Sequence, residues 1–295
     1  MQSNITQVKF KPGLPLEIEV LPIADTVLKH HKSITTPHRT EFYHIFWVQK
    51  GAAEYLIDFE PVKVKADTFL FINKDRVKAI DATSKHDGKV LVFTDNFFAK
   101  TEDDTKYLNN TILFNDLLDI PLIDVKSSPS LRITFQAIEA ELSRDNDTYH
   151  YSLLHNLLHN LLLLAERERR AKGFTEITKG VDLNYTVLFK DLLAAQFKTL
   201  KSVSAYASQM NVSEKRLYQA TTTTMGKTPK VIIDEKVMLE AKRLLVHTNL
   251  SIKEIGYELG FEEPTNFNKY FRKHIAKTPI EFRESYNKSS SEKYH

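Results

Sequence analysis

Gly226-Lys227-Thr228 has the ending of a phosphate-binding loop, His155 and His159 stand four apart as on a zinc-protease helix, and His38 and His44 flank a run of aromatic residues. The first would cradle a nucleotide, but such a loop needs a glycine five residues before the Gly-Lys pair, so that backbone N–H groups can wrap the phosphates. Thr221 stands there, and the preceding NVSEKRLYQA is no buried strand. In HNLLH (155–159), Asn156 takes the place of the glutamate that would act as general base, and no third ligand is evident. These histidines are expected to be solvated or interfacial. His38 and His44 are different: strand alternation puts them with Thr40, Phe42 and Phe46 on one face, and Tyr43, Ile45 and Trp47 on the other. Imidazoles gathered on one face suit a first-row metal or a small polar ligand.

The Gly-Lys-Thr finds its explanation in a repeat. Ala276-Lys277-Thr278-Pro279 follows Gly226-Lys227-Thr228-Pro229 by fifty residues, and SVSAYASQMNV (202–212) matches SIKEIGYELGF (251–261). Leu217, Ala220 and Thr221 pair with Phe267, Tyr270 and Phe271, with one residue inserted near Glu262-Glu263. Each copy reads as helix, tight turn, helix. Ser251 with Glu254 forms a capping box, Gly260 stops the helix, and the next helix starts at Pro264. Ser202 and Ser213 cap the corresponding helices of the first copy, and Thr228-Pro229 and Thr278-Pro279 are helix starts. The joining segment PKVIIDEKVMLEAKRLLVH (229–247) is amphipathic. At ~1.5 Å per residue it reaches about 28 Å, near the ~34 Å repeat of the major groove. Two helix-turn-helix units so joined are suited to double-stranded DNA.

Charge agrees. From residue 184 onward there are 18 Lys and Arg against 12 Asp and Glu, whereas the rest of the chain has 23 against 26. The polyanion-binding part is therefore C-terminal. IKEIGYELGF, FNKYFRK and KTPIEFR, with AKRLL (241–245) in the joining helix, resemble the DNA-binding domain of the AraC/XylS transcription regulators over roughly residues 186–287. The resemblance implies base-facing positions at Lys215, Tyr218 and Gln219 in one recognition helix and at Thr265, Asn268 and Lys269 in the other. Arg216, Arg272 and Lys273 complete the expected DNA-binding set. Ala276 stands where the family often has glycine, Val237 where it often has arginine, and Thr221-Thr222 where it often has Phe-Lys. These departures imply a weaker or more specialised grip for the first unit.

The N-terminal part is β-rich: runs 41–51, 53–59, 68–73 and 89–94 are aromatic and branched, separated by turn residues. PHRTEFYHIFWVQKG and ADTFLFINKDRVKAI resemble the two motifs of the cupin barrel, as in the sensor domains of AraC-type regulators. The resemblance turns His38, Thr40, Phe42, His44 and Phe46 to the barrel interior as ligand-binding residues. Against a metal, Thr40 holds the place of a usual histidine, His44 that of the usual glutamate and Lys78 that of the second motif's histidine. No metal, no cofactor and no catalytic residues are expected; a small-molecule effector is.

YSLLHNLLHNLLLLAERERR (151–170) carries a leucine stripe, Leu154, Leu157 or Leu158, Leu161 and Ala165, read as the seam of a homodimer. The expected fold is α+β in two domains: a cupin-like sensor barrel (1–130) with a helical dimerisation segment (131–172), a linker (173–185), an all-α double helix-turn-helix domain (186–287) and a polar tail (288–295). No cysteine is present, which excludes disulfides and thiolate zinc sites. No leader and no membrane-spanning run is read, so a cytoplasmic transcription regulator is expected, with RNA polymerase as a further candidate partner and with activation and repression both left open by the sequence. The alternatives are a metal-dependent cupin enzyme fused to a DNA-binding module, and a ligand-free architectural DNA binder.

Overall fold

The computed structural model describes residues 5–74, 76–81, 83–84, 86–114, 119–171 and 181–292. The chain divides into two compact units, one spanning Thr6–Thr175 and the other holding Glu176–His295.

The first unit is a curled sheet backed by helices. Its strands are β1 (Thr6–Val8), β2 (Ile18–Pro22), β3 (His38–Thr40), β4 (Tyr43–Ile57), β5 (Glu60–Lys65), β6 (Thr68–Ile72), β7 (Lys78–Ile80), β8 (His86–Phe93) and β9 (Leu122–Asp124). The helices are α1 (Ile23–Thr35), α2 (Asp95–Phe98), α3 (Glu102–Asn110), α4 (Pro129–Leu142) and α5 (His150–Ala171). Runs 41–51 and 53–59, read as separate strands, are one fifteen-residue strand, β4. Its first half pairs with β6 and β8, its second half with β5 and β7, so β4 runs through both halves of the sheet and curls it. Both faces of β4 are covered, which is why residues 43–48 are aromatic or branched without a polar alternate other than His44.

Tyr43, Ile45 and Trp47 pack with Phe69, Phe71, Leu91 and Phe93 against Leu131, Phe135 and Ile138 of α4 and Leu154, Leu158, Leu161 and Leu162 of α5. Those four leucines are fully buried, each burial stabilising the unit by about 2 kcal/mol. The stripe read as an intersubunit seam is therefore domain core: the aromatic sheet face needs a wide apolar cover, and α5 supplies it. His155 and His159 are half-buried against α2 and α3. His155 Nε2 lies 2.9 Å from the Phe98 carbonyl, and its ring stacks on Phe98 at 5.2 Å; His159 meets Tyr107 at 4.8 Å.

The second unit comprises α6 (Val181–Gln196), α7 (Val203–Gln209), α8 (Glu214–Met225), α9 (Pro229–His247), α10 (Ile252–Glu258), α11 (Pro264–Ile275) and α12 (Pro279–Glu292). Most of the expected linker, residues 173–180, lies outside the described residues, and residues 181–185 are the first turn of α6. Of the expected polar tail, residues 288–292 continue α12, and 293–295 lie outside the described residues. The expected caps form: Ser202, Ser213, Thr228 and Ser251 each accept from the backbone N–H three residues on, and Thr278 and Glu281 make a reciprocal box.

Candidate nucleic-acid interface and sensor interior

The two copies of the repeat are α7–α8 and α10–α11. Each second helix buries one stripe and exposes another. In α8, Leu217, Ala220 and Thr221 are buried, while Lys215, Tyr218 and Gln219 are exposed; Tyr218 is 53% exposed, much for an aromatic ring. In α11, Phe267 and Phe271 are buried, while Thr265, Asn268, Lys269, Arg272 and Lys273 are exposed. Offsets of three and four residues put each exposed set on one helix face. Beside α8 an open groove of about 320 Å³ is lined by Val203, Glu214, Lys215, Tyr218, Thr228, Pro229 and Lys230. Exposed lysines and aromatic edges on a helix that follows a tight turn can meet phosphates and base edges.

Arg216 does not join this face. Its guanidinium pairs with Asp182 and lies 4.8 Å from the Tyr185 ring centre, so it ties α8 to α6. The sequence hid this because its partners fall in a stretch read as linker. The loss of an aromatic at Thr221 is taken up locally: Thr221 is fully buried with its hydroxyl on the Tyr218 carbonyl, and Thr224 and Thr186 hydroxyls meet at 2.8 Å.

Recognition helix α11 is held to α9 by Asp234. Its carboxylate accepts from Tyr270 Oη, from Lys230 Nζ at 2.5 Å, and faces His274 Nε2 at 3.2 Å. These partners hold the carboxyl below its ordinary range against the opposing effect of burial, while burial and Asp234 push the Tyr270 phenol up. This hub was not read from the sequence, although Lys230, Asp234, Tyr270 and His274 are all polar groups beside apolar positions.

In the first unit the five expected ligand residues come together. Phe42 and His44 lie 4.9 Å apart by ring centres, His44 and Phe46 stack at 5.5 Å, and Phe46 meets Tyr55 at 5.0 Å. His38 pairs with Lys78 across β3 and β7, its Nδ1 2.9 Å from the Thr36 carbonyl. Lys78, counted only as a lost histidine in the sequence, is buried here and donates to Thr40 Oγ1 at 2.8 Å. Burial, then the Lys78 charge, pulls the His38 pKa down to about 4. The same effects, with His38, hold His44 well below its ordinary value. His44 Nδ1 is buried with no hydrogen-bond partner. Among the described residues no three His, Cys, Asp or Glu gather as a metal site, and no helix is long and apolar enough to cross a membrane.

The repeat and its exposed faces define a helix-turn-helix DNA-binding domain, and residues 206–285 match the family model described as a helix-turn-helix domain. The chain carries the double helix-turn-helix domain of the AraC/XylS transcription regulators. It is similar to "Histidine kinase P4" of Formosa agariphila, 25% identical over 57% of this chain and 13% of that one. It is also similar to the lactose operon transcription activator of Staphylococcus xylosus, 27% identical over 52% of each chain. With the HTH-type transcriptional activator RhaS of an Enterobacter species it is 22% identical over 84% of this chain and 87% of that one. The chain thus spans about an eighth and about half of the length of the first two relatives.

Proposed function

We propose that the whole chain is a sequence-specific, ligand-responsive transcription regulator without enzymatic activity, and, in keeping with the names of two relatives, an activator. The observation that carries the reading is the duplicated unit presenting Lys215, Tyr218 and Gln219 on α8 and Thr265, Asn268, Lys269, Arg272 and Lys273 on α11. Phosphate contacts from Arg272 and Lys273 would set position, and the others would read base edges.

The first unit is the sensor in this reading. His38, Thr40, His44 and Lys78 gather beside Phe42 and Phe46, and a buried imidazole nitrogen without a partner is an unmet polar group that a small polar ligand would satisfy. The interior is read as binding rather than catalytic because an ammonium and a hydroxyl, not further imidazoles, complete the group.

The regulator acts as a homodimer through the outward face of α5. Tyr149, just ahead of the helix, and Leu153, Asn156, Asn160, Leu163 and Arg167 within it are all exposed. Their spacing alternates four and three residues, the repeat of a coiled-coil seam in which buried asparagines fix register.

Selection of duplexes from a random pool by the full chain, followed by titration of selected and scrambled duplexes across a salt series, tests the DNA reading. Selected duplexes should bind at least a hundredfold tighter than scrambled ones. No enrichment, or equal affinity for both, would overturn it.

A further inference from the structure

Each recognition helix can satisfy its own contacts, but reading one duplex also requires a set distance and angle between the two. The long helix α9 joins the two copies and holds α11 through Asp234. A second junction exists between the segment before α7 and the turn between α10 and α11.

At that junction the Lys201 ammonium uses all three of its protons. It donates to the carbonyls of Phe197 at 3.1 Å, Lys198 at 2.9 Å and Leu259 at 2.7 Å. The first two carbonyls follow the C-terminus of α6, and the third is the C-cap of α10. Two helix C-termini, each the negative end of its backbone dipole, therefore converge on one cation. The same ammonium lies 5.1 Å from the centre of the Phe261 ring, which in turn meets Phe267 at 5.5 Å and Tyr270 at 5.3 Å on α11. The two backbones touch here: Gly260 has φ +75°, and a Cβ on it would stand 1.7 Å from the Lys198 carbonyl oxygen. The Lys198–Glu258 ion pair beside it is half-exposed on both sides and adds little.

We propose that Lys201 is a positioning residue for DNA reading: by tying the carbonyls that end α6 to the carbonyl and ring that precede α11, it fixes the separation of the two recognition helices and so the spacing of the two DNA segments the protein accepts. The proposal rests on the reading that both units engage one duplex. Burial draws the Lys201 pKa down to about 8, and near neutral pH the ammonium remains the major form. Without it, the C-cap carbonyl of α10 and the end of α6 face each other with no donor between them. The second copy of the repeat then keeps its ties to α9 through Asp234 and Arg283 but loses its tie to the end of α6.

The test uses the full chain, a duplex selected from a random pool, and derivatives of it with one or two base pairs inserted or deleted between the two footprinted segments. Wild type should lose at least tenfold in affinity for each one-base-pair change. Lys201→Met, which keeps the stem and removes the donors, should bind the parent and altered duplexes within threefold of one another. Lys201→Arg, which keeps charge and donors, should restore most of the discrimination. Phe261→Leu, which keeps an apolar side chain but removes the ring under the ammonium, gives a second variant should the Met variant fail to fold, and it should also flatten the spacing profile. A two-segment footprint with a wild-type spacing profile in the folded variants would overturn the role of Lys201 alone. A footprint on a single segment in wild type would overturn the double reading and this proposal with it.

Discussion

Ala276 holds the left-handed conformation, φ 58°, that Gly226 adopts at φ 64° at the corresponding point of the other copy. Both residues end a recognition helix, and both N–H groups return to a carbonyl four residues back. Left-handed backbone costs a residue with a Cβ ~1–2 kcal/mol that glycine is spared. Ala276→Gly should therefore stabilise the second unit by about 0.5–1 kcal/mol, after the entropy of the more flexible unfolded glycine is subtracted. Gly226→Ala, where a Cβ would meet nothing within 4 Å, should destabilise by about 1 kcal/mol through backbone conformation alone. Denaturant titration of both variants checks the pair; equal midpoints for Ala276→Gly and wild type would remove the strain assigned to Ala276.

The leucines of α5 grade from a buried to an exposed face, with Leu157 and Leu164 between. Leu153 is 45% and Leu163 48% exposed, while Leu158 is fully buried. Glutamate at both Leu153 and Leu163 should dissociate the proposed dimer and leave a folded unit, whereas Leu158→Glu should unfold it, because an unpaired carboxylate in the core costs several kcal/mol. Sedimentation gives the first outcome and the fluorescence of Trp47, the sole tryptophan, gives the second. A double variant that still sediments as a dimer would clear the outward face of α5 of this role.

What was legible in the sequence was local. The starts of α8, α9, α10, α11 and α12 follow from Ser213, Thr228, Ser251, Pro264 and Thr278, because a cap or a first-turn proline acts within three residues of itself. Alternation along β4 likewise separated His44 and Phe46 from Tyr43, Ile45 and Trp47. What needed a distant partner was not legible. Arg216 looked like a DNA contact because Asp182 is 34 residues away, in a segment without clear helical pattern. Leu154 and Leu158 looked like a seam because the sheet face they cover is assembled from β4, β6 and β8. The three-residue strands β1, β7 and β9 carry too few residues of consistent period to stand out, and the stretch read as one strand from His38 to Phe46 divides into β3 and β4 because β3 pairs with the distant β1 and β7.

Lys269 and Lys273 are both exposed on α11, one turn apart, and their roles should separate by assay. Lys269→Ala should lose affinity for the selected duplex by about tenfold and for scrambled duplex hardly at all, a base contact being worth ~1–3 kcal/mol of discrimination. Lys273→Ala should weaken both alike and lower the slope of log affinity against log salt by about one. Equal losses on both duplexes for Lys269→Ala would remove its base-reading role.

The interior histidines give the first unit an acid limb whose sign is fixed by their surroundings. His38 has a folded pKa of about 4 and His44 one well below its ordinary value, against about 6.5 for an unfolded histidine. Between pH 6.5 and 4 the unfolded chain therefore binds protons that the folded unit refuses, and stability must rise with pH across that window. It is fully present above about pH 6.5 and is lost as pH falls. For His38, only 6% exposed, the shift of about 2.5 pH units is worth about 3 kcal/mol over the whole window. Lys78, which donates to Thr40 beside both rings, adds to the effect by penalising a second positive charge. His38→Gln, which does not titrate, should therefore flatten the dependence of the denaturation midpoint on pH between 6.5 and 4.5, measured through Trp47, and His44→Gln should do the same. Lys78→Met should flatten it in part, since burial remains. Comparison at matched pH cancels the carboxylates common to all variants, so an unchanged acid limb in both histidine variants would mean that these rings are protonated in the folded unit and that the interior is wetter than its packing implies.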